Sequence, residues 1–136
     1  MAGPEATFYR WLAVKLTEFG CQHWDRIESS TSKGIPDIDI CHNGRCTKAE
    51  LKYEKGNQVH LRPEQRNWIN KRIKAGGRVY ILVKRQTAKL DRIELFNGLA
   101  ANSLFNREFV LPVLVADKIG NSYNMSEMTK ILETIL

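Results

Sequence analysis

No stretch of this sequence stays apolar long enough to cross a bilayer. The longest such block, around Phe109 to Ala116, is broken by Pro112, whereas a spanning helix needs about 20 apolar residues. The beginning, MAGPEATFYR, lacks a basic region followed by an apolar run, so no secretory signal is read there. Repeats, low-complexity tracts and linkers are missing too. Cysteine is scarce: three residues and no CxxC pair, a count that points to free thiols in a reducing compartment. His23, His42 and His60 lack metal-ligand spacing. The expectation is an intracellular, cytoplasmic protein with no membrane partner.

What is present fits one globular domain. At 136 residues there is length for a single real core. A 43% hydrophobic fraction beside 26% charge is ordinary for a soluble protein. Lysine and arginine number 21 against 15 acids, a net charge of +6, which favours a polyanion such as nucleic acid as partner.

Phe8, Leu12, Leu16 and Phe19 recur at the spacing of one helical face, predicting an amphipathic helix from Glu5 to Phe19. Pro4 suits its first turn and Gly20 its stop. Glu5 heads the stripe, either turned toward the sheet or serving as a first-turn acid favoured by the helix dipole. His23 to Glu28 reads as a first strand, and Ser29 to Gly34 as a polar loop leading to Pro36 at a strand start. Pro63 opens a second helix that runs to about Ala75 and ends at Gly76-Gly77. Its inner face carries Gln65, Trp68, Ile69 and Ile73; Arg66, Lys71, Arg72 and Lys74 lie outside. Arg78 to Lys84 is a β-branched and aromatic run, hence a strand buried on both sides. Lys89 to Phe96 suggests another strand and Asn97 to Phe105 a short helix. Phe109 to Val115 is ambiguous, because Pro112 keeps it off a central strand. Ser126 to Leu136 reads as a terminal helix with Ser126 as N-cap and an apolar stripe of Met128, Ile131, Leu132, Ile135 and Leu136. The order predicts an α/β (α+β) fold, a mixed central β-sheet flanked by helices, as one domain over 1–136.

The stretch from Gly34 to Lys52 carries the chemistry. Asn43-Gly44 between alternating residues is a strong hairpin signal, since a type I′ turn needs positive φ at both central positions. A two-residue loop there pairs His42 with Arg45 and Cys41 with Cys46. Counting outward, Asp39 faces Lys48 and Asp37 faces Glu50. Alternation puts Asp37, Asp39, Cys46, Lys48, Glu50 and Lys52 on one face and Ile38, Ile40, Thr47, Ala49 and Leu51 on the other. Facing carboxylates are destabilising in a sheet unless a cation sits between them. Asp39 has Lys48 for an ion-pair partner. A Cys41–Cys46 bridge is open to the geometry, but without a secretory signal both thiols are expected free.

Pro36-Asp37, twelve intervening residues, then Glu50-Leu51-Lys52 resembles the signature of the PD-(D/E)XK nucleases. The closer resemblance is to small VRR-NUC-type and Holliday junction resolvase-like members, some phage-encoded. Gly34-Ile35-Pro36-Asp37, the segment Leu61 to Trp68, and Gly77 leading into Val79 to Val83 carry it; it covers roughly Glu5 to Val83. It implies a restriction-endonuclease-like sheet and phosphodiester hydrolysis assisted by Mg²⁺, with Mn²⁺ substituting. Asp37 and Glu50 are hard oxygen ligands suited to Mg²⁺. The resemblance adds the backbone carbonyl of Leu51 and Glu5 to the metal shell, gives Lys52 the attacking water or the developing charge, and makes Gln65 the helix glutamine that positions Lys52 or the water.

The resulting expectation is a structure-specific endonuclease for branched or junction DNA, acting as a homodimer because symmetric junction cutting needs two sites. A phage-encoded member would work in the host cytoplasm. A nuclease for flaps, nicks or specific sequences, and a catalytically silent DNA-binding module, are the alternatives. Lys33, Arg62 and Arg66 are the candidate DNA contacts. The apolar stripe of the terminal helix serves equally as dimer interface or core.

Overall fold

The computed structural model describes residues 3–27 and 33–136. Glu28 and most of the polar loop expected at 29–34 therefore lie outside the described residues. A helix, α1 (Pro4–Phe19), leads into strand β1 (His23–Arg26), then the hairpin β2 (Ile38–His42) and β3 (Arg45–Glu54). Helix α2 (Pro63–Lys74) crosses to β4 (Arg78–Gln86), followed by β5 (Asp91–Asn97). A 3-10 turn (Gly98–Ala100) and short α3 (Ala101–Phe105) precede β6 (Leu114–Ile119), β7 (Ser122–Tyr123) and α4 (Met125–Ile135).

The seven strands form one sheet in sequence order. Among the described strands β3 and β4 pair in parallel, joined by the α2 crossover, and the other neighbours pair antiparallel. Asn43 and Gly44 have φ of +51° and +79°, and β2 pairs β3 in the expected register, Asp39 opposite Lys48 and Cys41 opposite Cys46.

The sheet divides two cores. On one face Phe8, Leu12 and Leu16 of α1 pack with Ile38, Ile40, Ala49 and Leu51, and Ile131, Leu132 and Ile135 of α4 join them. On the other, Ile69 of α2 packs with Ile81, Val83, Phe96 and Leu104. Leu82 of β4 lies in the first core and Ile81 in the second, as a strand buried on both faces requires.

Two expectations are corrected, and two open readings are decided. Cys41 and Cys46 are joined by a disulfide; only Cys21 is free, and it is buried. The turn makes them a directly opposed pair whose Cα atoms lie 4.1 Å apart, and that closeness outweighs what the cysteine count suggested. The N-cap of α4 is Asn124, not Ser126: the Asn124 side chain accepts the Glu127 N–H at 2.9 Å. The α4 stripe is core, since Ile131 and Ile135 are fully buried. The ambiguous segment ends in β6, which starts at Leu114, two residues past Pro112, and lies between β5 and β7.

Candidate active site

Asp37 stands at the bend just before β2. Its backbone carbonyl accepts from the Ile27 N–H at 2.7 Å, and its carboxylate Oδ2 accepts from the Leu51 N–H at 2.8 Å. Continuing the hairpin register places Pro36 opposite Leu51. Proline has no N–H to give, so the Leu51 carbonyl receives no ladder bond from that position. N–H and C=O of one strand residue point to the same neighbour, which turns this carbonyl toward the Asp37 side.

Glu50 lies in mid-β3 on the α2 face and is 2% exposed. Its Oε1 accepts from Gln65 Nε2 at 2.8 Å; its buried Oε2 has no hydrogen-bond partner. Burial first, then the adjacent Asp37 carboxylate, raise its pKa from 4.5 to about 9, with Lys52 pulling the other way and Glu5 adding the smallest push. A carboxyl this deep is costly to ionise without a cation.

Gln65 ties the group together. It is the third residue of α2 and 5% exposed. Its Oε1 accepts from the Arg62 N–H at 2.9 Å, satisfying an otherwise orphaned donor at the helix start, and also from Lys52 Nζ at 2.9 Å. Lys52 Nζ is 3.8 Å from Glu50 Oε1. One amide thus spaces the ammonium from the carboxylate and fixes both. Gln65→Ala is expected to cost about 1–3 kcal/mol, because it strips partners from three buried or half-buried groups. Urea unfolding measures it.

The arrangement fits a hard divalent ion. Among the described residues no three His, Cys, Asp or Glu side chains converge to hold a metal. Mg²⁺ does not require that, since it keeps several waters and takes one or two carboxylates plus substrate phosphate. Asp37, the unsatisfied Glu50 Oε2 and the Leu51 carbonyl are the oxygens that could hold such an ion. Glu5 is exposed in the first turn of α1, and only its charge reaches Glu50. Asp39 is spent on Lys48, 3.0 Å away.

No protein-family model matches the sequence, and no curated protein does. Among solved structures, Hjc, a Holliday junction resolvase from the archaeal hyperthermophile Archaeoglobus fulgidus, superposes with a TM-score of 0.57 at 14% identity, over 96% of this chain and 98% of that one. The chain has a resolvase-like, restriction-endonuclease-like fold. The match extends the likeness past Val83, where the sequence resemblance stopped, to the C-terminal strands and helix.

Within this nuclease fold the three candidate DNA contacts differ. Lys33 is exposed just ahead of Gly34. Arg62, at the N-cap of α2, pairs with Glu64 at 3.4 Å and is 54% exposed. Arg66 lies over the Phe105 ring at 4.0 Å and bonds to the Asn67 side chain. One residue carries more than the sequence assigned to it. Gly34 has φ +78°, and a Cβ there would sit 2.1 Å from the Glu64 carbonyl oxygen and 2.7 Å from the Gln65 nitrogen. It is the point where the hairpin approach presses on the first turn of α2. Its positive φ is not visible in a sequence, although its place in G-I-P-D was the available signal.

Proposed function

We propose that this protein is a Mg²⁺-dependent, structure-specific DNA endonuclease of the resolvase-like kind, acting on branched DNA as a homodimer. The observation that carries the reading is the buried Glu50 beside Asp37, with one oxygen free and the other linked through Gln65 to Lys52. A surface acid would need no such setting. The resolvase title of the matched structure supports the choice of branched DNA, and the net charge of +6 supports a polyanionic substrate.

Asp37, Glu50 and the Leu51 carbonyl would hold the cation, with Mn²⁺ able to replace Mg²⁺. When bound, the ion neutralises charge at the scissile phosphate. Lys52 meets the charge that develops on the phosphoryl oxygens, or orients the attacking water. Gln65 holds the lysine by its own amide, 3.8 Å from Glu50, so the ammonium keeps donors free for substrate. Glu5 stands at the margin of the site, where it extends the negative field.

Four-way junctions, flaps, nicked and linear duplexes, offered with Mg²⁺, Ca²⁺ or no metal, test the proposal. The expected result is Mg²⁺-dependent cutting of junctions over linear duplex, reduced at least about 10³-fold by Asp37→Ala. Binding without cutting in Mg²⁺ would leave only a DNA-binding module. Cutting that survives Asp37→Ala would remove this site, and equal cutting of linear duplex would remove the branch preference.

A further inference from the structure

Across the β3–α2 loop from Lys52 lies a separate cavity of about 410 Å³, between residues 57–59 and 107–112. Phe96, Leu104 and Val110 give it apolar walls. Its polar floor is Glu94, 2% exposed, which holds Arg85 at 2.8 Å and Arg92 at 2.7 Å. Arg85 also donates to the carbonyls of Gly56 and Gln58, pinning the loop to the cavity. Arg85 and Glu94 thus match as the buried pair, and the partly exposed Arg92 shares the same carboxylate.

The rim is unlike the floor. Phe109 is 88% exposed and Leu111 73% exposed, while Arg107, two residues before Phe109, has φ +59°. Helix α3 lies along α2, with Asn70 bonded to Asn102 at 2.9 Å and Arg66 over Phe105 at 4.0 Å. Its last turn therefore sits beside the α2 turn that carries Gln65, and the segment bearing Phe109 leaves from there. Arg107 and Glu108 line the cavity, Arg66 is held over Phe105 at the end of α3, and Arg62 is paired with Glu64 at the start of α2.

We propose that this cavity takes an unstacked nucleobase from branched or interrupted DNA, with Phe109 as the stacking surface; the proposal rests on the DNA reading above. Apolar walls accept the faces of a base, and every base offers a π-face to an aromatic ring. The arginines along the approach suit a phosphate backbone better than an apolar peptide. The site would thus sense DNA discontinuity, with sequence playing little part.

The test uses four-way junctions carrying 2-aminopurine at the branch point, with Ca²⁺ so that binding is read without cutting. The wild-type protein is expected to raise 2-aminopurine fluorescence and to prefer junction over duplex. Phe109→Ala, which removes an exposed ring outside the core, is expected to lose the fluorescence rise and about tenfold in preference. Phe109→Trp is expected to keep the preference. Wild-type binding with no fluorescence change, or a Phe109→Ala protein that keeps its full preference, would overturn the proposal. The nuclease reading fails separately, through absent Asp37-dependent cutting in Mg²⁺, a result these binding measurements do not use.

Discussion

Glu50→Gln is expected to stabilise the metal-free protein at pH 8 while removing cleavage. The folded-state pKa of Glu50 is raised from 4.5 to about 9, by burial first and Asp37 second. Between those values the unfolded chain gives up the proton and the folded chain keeps it. Stability from this group is therefore full below about pH 4.5 and is lost as pH rises through 9. At about 1.4 kcal/mol per pH unit, the loss reaches a few kcal/mol by pH 8. Glutamine cannot ionise, yet its side-chain oxygen still accepts from Gln65. The variant should thus gain Tm over the wild type as pH rises from 5 to 8, by several degrees at the top. The same change removes a carboxylate from the cation site, so cutting should fall at least about 10³-fold. Parallel thermal melts and single-turnover cleavage check both halves. A variant that gains nothing with pH would mean that Glu50 is not held protonated.

Gly34→Ala is expected to be the most damaging single-methyl change near the site. The new Cβ would stand 2.1 Å from the Glu64 carbonyl oxygen, and the φ of +78° is itself unfavourable for alanine. Backbone lies on the other side of the contact, so no side chain can swing away. Either the hairpin approach or the first turn of α2 must move, at a cost of about 3 kcal/mol or more. Gln65 is in that turn, and a shift of about 1 Å in the groups it positions is enough to lose on the order of 100-fold in rate. Urea unfolding and cleavage below the unfolding transition separate the two effects. Wild-type stability in Gly34→Ala would contradict the close approach.

The hairpin was legible because its determinants are local. Asn43-Gly44 dictates the turn, the turn dictates the register, and the register alone places Asp37 against Glu50 on the face shared with Lys52. Gln65 was legible from the Pro63 helix start and the family resemblance together, although its link to both Glu50 and Lys52 is a tertiary fact. The burial of Glu50 was not legible, because an acid in an alternating strand looks the same whether water or a helix covers it. The role of Gly34 was hidden for the same reason: its neighbour in space, Glu64, is distant in the chain. The β6–β7 hairpin escaped because Pro112 drew attention to what cannot be a central strand, whereas β6 begins only past it, at Leu114. The α4 stripe illustrates a different limit. Core and interface stripes share one periodicity, and only the burial of Ile131 and Ile135 in the core shared with α1 decides between them.

The central claim is that Asp37 and Glu50 form a cation site whose buried member is neutral until the ion arrives. Titration with Mn²⁺ at pH 7, in buffers of differing ionisation enthalpy, tests it most directly. Binding to the wild type with release of about one proton is the expected result, together with severely weakened binding and no comparable release for Glu50→Gln. Equal Mn²⁺ affinity in the two proteins, or binding to the wild type with no proton released, would contradict it.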